Sequence, residues 1–232
     1  LSGQEFDYFA AIMKRFAFVF DMDGVIADSN PYHEIALREF CERHGYHLTD
    51  HDLRNRIFGR TNKDWIPMLF GPLEPEMIDQ YGAEKEALYR QIYAAHIRPL
   101  DGLIEFLEKL QAQGIPRAVA TSAPRENVDF TLDRTGTRKY FDVILDESFV
   151  TRGKPDPEIY IRTAKALKMP ASRCIVFEDS LSGVLAAKAA GCRVIGITTT
   201  HKIDEFPPVE RVIDDFRGLE PEELVARFQK QG

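Results

Sequence analysis

Residues 16–29 read Phe-Ala-Phe-Val-Phe-Asp-Met-Asp-Gly-Val-Ile-Ala-Asp-Ser, and no other stretch constrains the chain as much. Aromatic residues alternate with Ala and Val from Phe16 to Phe20, the pattern of a strand that begins a core. The apolar run stops at Asp21 and Asp23 and turns at once through Gly24, which lets backbone pass close to a ligand. Two carboxylates this near repel each other, and both stay ionised only where a cation or strong donors compensate. The arrangement points to a metal-assisted site in which one Asp attacks and the other moves protons.

Beyond this strand the chain has two textures. Asn30-Pro31 reads as a helix start, Asn as cap and Pro in the first helical position, with the helix ending near Gly45. From there to about His96 the pattern is helical, with segments marked by Leu53, Ile57 and Phe58, by Trp65, Met68 and Leu69, and by Ala87, Leu88, Gln91 and Ile92. This block predicts a four-helix insertion. After Pro99 strands and helices alternate: helices Leu103–Gln113, Asn127–Thr135, Glu158–Leu167 and Leu181–Ala190, strands Arg117–Ala120, Val143–Leu145, Cys174–Phe177 and Arg193–Ile197. Gly114 and Gly191 sit where helix-ending glycines are expected. Helices between short strands imply a parallel sheet covered on both faces, and such sheets bind ligands beyond their carboxyl ends.

Four of those ends carry chemistry: Asp21-Met-Asp23-Gly24, Thr121-Ser122-Ala123, the loop Gly153-Lys154-Pro155, and Glu178-Asp179-Ser180. Phosphoryl transfer requires this inventory. An anionic Asp21 would be repelled by an anionic phosphoryl group. Mg²⁺ held by Asp21 and Asp179 would offset the repulsion, since that ion prefers hard oxygen ligands. Thr121 and nearby amides suit the non-bridging oxygens, and Lys154 adds positive charge, held extended by the Pro after it. Simpler readings stand beside these. Thr121 and Ser122 also suit the cap of the next helix, Lys154 alone reads as a surface lysine, and Glu178-Asp179-Ser180 suits a plain helix start.

Taken in order, the four motifs resemble those of the haloacid dehalogenase superfamily, in its β-phosphoglucomutase and phosphatase branch with a helical cap. The likeness runs from Phe16 to about Ile213. It implies an α/β fold: a three-layer, Rossmann-like parallel-sheet core formed by 16–30 and 97–232, with an inserted α-helical cap at 31–96 and residues 1–15 as an N-terminal extension. It also implies that Asp21 forms an aspartyl-phosphate and that Asp23 is the general acid/base. Mg²⁺ would be ligated by the Asp21 carboxylate, the Asp23 carbonyl and Asp179, with Glu178 close by. Members that do not act on phosphate esters lack an Asp at position 23. Pro31-Tyr32-His33 and Lys85 resemble mutase positions near the acid/base and the sugar phosphate. Where the mutases carry a cap Arg this chain has Asn62, flanked by Arg60 and Lys63. Gly59-Arg60-Thr61 resembles related phosphatases, including a pyrophosphatase-like group. Arg125, near a helix start, is a candidate for phosphate or for a salt bridge; His33, Lys85, Arg60 and Lys63 equally suit a solvated cap surface, and Trp65 suits packing between cap helices.

The expected function is a Mg²⁺-dependent phosphatase acting on a small phosphorylated metabolite or pyrophosphate, with a sugar phosphomutase as the alternative. A non-catalytic binding protein on this fold would not need a proton-transfer Asp. A formal net charge of -7 argues against a surface that tracks nucleic acid. No apolar stretch reaches membrane-spanning length, and Leu1–Ile12 lack the features of a signal peptide. Cys41, Cys174 and Cys192 form no Cys-x-x-Cys pair and read as buried small hydrophobes. The expectation is a cytoplasmic protein, its oligomeric state unread.

Overall fold

In the computed structural model, which describes residues 12–57 and 60–229 apart from the side chains of Arg54, Asn55 and Gln229, Ala17–Phe20 forms strand β1 with every residue buried. The expectations for residues 1–11, Phe58 and Gly59 lie outside the described residues. The side chains of β1 divide by parity, as a pleated strand requires. Phe18 and Phe20 enter an aromatic-rich core layer, while Ala17 and Val19 enter a layer of smaller residues.

Five more strands join β1: β2 (Arg117–Ala120), β3 (Val143–Leu145), β4 (Cys174–Glu178), β5 (Arg193–Ile197) and β6 (Arg211–Ile213). They form one sheet in the order β3-β2-β1-β4-β5-β6, parallel at every pairing. The longer helices are α1 (Asn30–Arg43), α2 (Asn62–Phe70), α3 (Pro75–Tyr93), α4 (Leu103–Ala112), α5 (Arg125–Arg134), α6 (Glu158–Ala166), α7 (Leu181–Ala189) and α8 (Pro221–Gln229). Helices α4, α5 and α8 bury Phe106, Leu132 and Phe228 in the aromatic layer. Helices α6 and α7 bury Tyr160 and Ala187 on the other face. The result is a Rossmann-like three-layer core. Gly114 and Gly191, directly after the last turns of α4 and α7, take φ of 63° and 83°, the left-handed values that end a helix.

Ser29–Ile97 forms a compact unit of its own, and the described residues before and after it form the other. Within Ser29–Ile97, α1 buries Ala36, Leu37, Phe40 and Cys41. Phe40 meets Trp65 of α2 and Tyr81 of α3 edge-on, with ring centroids at 6.1 and 5.5 Å.

Local details differ from the sequence expectations. The α1 cap is Ser29, with Asn30 and Pro31 in the first turn; the Ser29 carbonyl accepts from the amides of Tyr32 and His33. Pro fits the second position as well as the first, because neither amide has an intrahelical partner. The segment expected around Leu53 is one capped turn, Asp50–Asp52, running into a π-helical stretch, Leu53–Ile57. Strand β6 and helix α8 went unread.

Candidate functional site

In a sheet of this order the chain leaves the centre in both directions, and the switch point lies between β1 and β4. Asp21 follows β1, Glu178 ends β4 and Asp179 follows it, so the sheet brings these carboxylates together from opposite ends of the sequence. Their oxygens lie within 4.8 Å of one another, and all three residues are buried.

Lys154 answers them. Its Nζ lies 2.6 Å from Asp21 Oδ1, 2.6 Å from Glu178 Oε1 and 3.3 Å from the Ala120 carbonyl, with 6% of its side chain exposed. Burial disfavours its charge, yet Asp21 and Glu178 hold the ammonium above the ordinary lysine range. One cation cannot serve three carboxylates. Burial pushes the Asp21 carboxyl well up, against the pull of Lys154 and with Glu178 and Asp179 adding repulsion. Burial likewise pushes Asp179 up to about 8, with Glu178 and Asp23 adding to it and the Thr200 hydroxyl and Lys154 opposing. The Lys154–Pro155 bond is cis, where an extended dipeptide was expected.

Glu178 is fully enclosed. Oε1 accepts from Lys154 and from the Tyr160 hydroxyl of α6, at 2.6 Å. Oε2 accepts from the Ser180 amide at 3.1 Å and its hydroxyl at 3.0 Å. Ser180 also caps α7, its Oγ accepting from the Gly183 amide at 3.0 Å. Asp179 accepts from the Thr200 hydroxyl. After β1 the backbone turns so that the Gly24 amide bonds the Ala27 carbonyl at 2.8 Å and Asp23 bridges to Ala27. The Gly24 carbonyl accepts from Thr199 Oγ1 at 2.6 Å.

On the other side of β1, Thr121 is buried after β2. Its Oγ1 accepts from the Ala123 amide at 3.1 Å, a turn contact; the cap position of α5 is Pro124. Ser122 is exposed. Arg125 is exposed and pairs with Asp129 at 3.2 Å and the buried Asp146 at 3.5 Å.

The remaining candidates lie within Ser29–Ile97. His33 stacks on Tyr89, with centroids 3.6 Å apart. Lys85, expected on a solvated surface or at a ligand, is buried, with Nζ 2.6 Å from Glu86 Oε1 and 3.5 Å from His33 Nδ1. Asn62 Nδ2 donates to the same Glu86 oxygen at 2.9 Å and its Oδ1 accepts from Trp65 Nε1 at 2.9 Å. Arg60 is exposed, and Lys63 pairs with Asp79 at the surface.

Sequence reasoning missed Tyr160, Gly183, Thr199 and Thr200. The run Thr198-Thr199-Thr200 after β5 was the available signal for two of them, because it stands at another carboxyl end. Tyr160 and Gly183 carried none, since each acts through Glu178.

Known proteins are similar to this chain in sequence and in fold. A family model described as haloacid dehalogenase-like hydrolase matches residues 17–191. A phosphorylated carbohydrates phosphatase of Thermotoga maritima is 36% identical over 191 residues, covering 82% of this chain and 87% of that protein. A validoxylamine A 7'-phosphate phosphatase of Streptomyces hygroscopicus is 33% identical over 197 residues, covering 85% of this chain and 92% of that protein. The crystal structure of a HAD hydrolase, family IA, variant 3, from Entamoeba histolytica superposes with a TM-score of 0.84 at 31% identity, covering 92% of this chain and 99% of that one.

Proposed function

The chain belongs to the haloacid dehalogenase-like hydrolase family and is a phosphohydrolase, and from that premise we propose that it is a Mg²⁺-dependent phosphatase of small phosphorylated metabolites or pyrophosphate, with Asp21 as nucleophile. The observation that carries this reading is the buried group at the switch point: Asp21 held by Lys154 at 2.6 Å beside Asp179 and Glu178.

A divalent cation fits the donor set. Three buried carboxylates face one ammonium, two of them driven toward protonation by burial and mutual repulsion, and hard oxygen donors suit Mg²⁺. Asp21, Asp23 and Asp179 would hold it, with Glu178 beside them. When bound, the ion supplies positive charge against the phosphoryl oxygens.

In the proposed reaction an Asp21 oxygen attacks phosphorus while the bond to the departing oxygen breaks. Asp23, as the acid, gives that oxygen its proton. Asp23, now a carboxylate, takes a proton from the water that attacks the aspartyl-phosphate, releasing inorganic phosphate and restoring Asp21. Lys154 and the oxygens and amides of Thr121 and Ser122 steady the transferring group. Phosphate-monoester hydrolysis is among the slowest uncatalysed reactions, accelerated by enzymes up to about 10²¹-fold, which asks for covalent and electrostatic contributions together. Ser29–Ile97 is the proposed cap, with His33, Lys85 and Arg60 as its candidate substrate contacts, and Arg125 is a candidate from the α/β core. The mutase reading is not favoured: Asn62, where a mutase carries Arg, is taken up by Glu86 and Trp65. A cytoplasmic site of action completes the reading. It rests on three buried free thiols, and among the described residues no helix is long and apolar enough to cross a membrane.

The test is turnover of an aryl phosphate with Mg²⁺, then a panel of hexose phosphates, other metabolite phosphates and pyrophosphate. Asp21→Asn is expected to abolish turnover with the circular dichroism of the native fold. A fully active Asp21→Asn protein removes Asp21 as nucleophile. Conversion of β-glucose 1-phosphate in the presence of a bisphosphate primer, without net release of phosphate, restores the mutase.

A further inference from the structure

The hydroxyl of Tyr160 has no part in the proposed reaction. It reaches Glu178 Oε1 at 2.6 Å, the same oxygen and the same distance as Lys154 Nζ. Its ring also lies 5.0 Å from that ammonium, within reach of a cation–π attraction. Tyr160 therefore touches both partners of one ion pair, from a helix that packs on the face of the sheet.

Lys154 has little else to hold it. A lysine head is a compact charge on a flexible stem, with three donors and no fixed plane. Here the donors go to Asp21, Glu178 and, at 3.3 Å, the Ala120 carbonyl. Where the ammonium rests between the two carboxylates depends on how strongly each draws it. Glu178 would draw it more strongly if its oxygens were less occupied. As built, Oε2 is taken by the amide and hydroxyl of Ser180, and Oε1 is shared with Tyr160, which fills the roughly four acceptor sites of a carboxylate. The carboxylate cannot be displaced toward α7 from this seat without changing the backbone around it. A Cβ on Gly183 would lie 1.7 Å from Oε1 and 2.3 Å from Oε2, so the side chain occupies space that only glycine leaves.

We infer that Tyr160 is a positioning residue: by occupying Glu178 and lying against the Lys154 ammonium, it keeps that ammonium on Asp21, where the phosphoryl group is to be received. The inference rests on the proposed phosphatase activity. Tyr160 is also part of the core layer formed with Ile159 and Val184, so a structural effect has to be separated from a positioning one.

Tyr160→Phe separates them, since it keeps the ring and removes only the hydroxyl. The expected result on an aryl phosphate is a kcat lower by about tenfold with KM within about twofold, in a protein of native circular dichroism. A second readout needs no turnover: Lys154, drawn deeper toward the enclosed Glu178, should be acylated by an amine-reactive reagent several-fold more slowly, scored by peptide mass spectrometry. Native kcat or native Lys154 labelling in Tyr160→Phe overturns the inference. Asp21→Asn is assayed in parallel. If the native protein is inert, or Asp21→Asn is active, the phosphatase reading fails, and Lys154 labelling alone then decides whether Tyr160 holds the lysine. Should Tyr160→Phe not fold, Tyr160→Met, which also lacks the hydroxyl, takes its place: slower turnover and slower Lys154 labelling support the inference, and native values of either overturn it.

Discussion

At the scale of single residues, charge placement governs what can be changed. Lys154 is the cation between Asp21 and Glu178, whose side chains are 9% and 0% exposed. Lys154→Met leaves both without it and should cost about 3–5 kcal/mol of stability at neutral pH without Mg²⁺, read from urea unfolding. The deficit should shrink at lower pH, where a bare carboxyl can take up a proton. Glu86 illustrates the opposite sign. Burial would raise its carboxyl, but Lys85, His33 and Asn62 hold it at about 2, below the ordinary 4.5. A depressed folded-state value stabilises the fold above about pH 4.5, and the contribution is lost as pH falls from there toward 2. Glu86→Gln should therefore lose less stability than the native chain between pH 5 and 3; parallel acid titrations would refute this. His33 and Lys85 were legible in the sequence only as candidates. That Lys85 is buried against Glu86 depends on α1 and α3 packing together, which spacing along the chain does not encode.

Elements set how those residues are presented. Helix α7 begins on the Ser180 cap, and the absence of a side chain at Gly183 makes room for Glu178. Gly183→Ala improves intrinsic helix propensity by up to about 1 kcal/mol, yet its Cβ would collide with the Glu178 carboxylate. The expected outcome is a folded protein with at least tenfold lower kcat, by the loss of a charged hydrogen bond; native kcat would show that Glu178 can move without consequence. In β1, Phe20 is fully buried and lies 5.0 Å from Phe177 and 5.6 Å from Phe141 by ring centroid. Phe20→Ala should cost about 3–5 kcal/mol, measured as the fall in unfolding free energy. The strands β1 to β5 and the helices α4 to α7 were readable because their apolar runs are bounded by Gly, Pro and charged residues. The start of α1 and the π-helical Leu53–Ile57 were not, because one residue of offset leaves the pattern nearly unchanged.

For the molecule as a whole, three buried carboxyl groups gathered around one ammonium at the switch point predict a response to cations. A ligand that binds only the folded state adds about 2.7 kcal/mol at one hundred times its dissociation constant. Saturating Mg²⁺ should raise the thermal midpoint of the native protein and raise that of Asp179→Asn much less, by scanning fluorimetry. Equal shifts in both would place the cation elsewhere.

The residue order by itself determined the α/β class and most core strand and helix positions. It also pointed to the residues of the candidate site: Asp21, Asp23, Thr121 and Glu178-Asp179 follow or end short apolar runs, and a strand that must be buried shows its end wherever charge begins, while Lys154, in a loop, stood out only by its place in the order of the motifs. Only the tertiary structure decided what those residues touch. Lys154 meets Asp21 across 133 positions and Tyr160 meets Glu178 across 18, distances closed by the order β3-β2-β1-β4-β5-β6 and by a helix laid across the sheet. Hydrophobic periodicity is local and reports burial. Partnership between buried polar groups is non-local, fixed only when every strand has found its neighbour and each charge has run out of water.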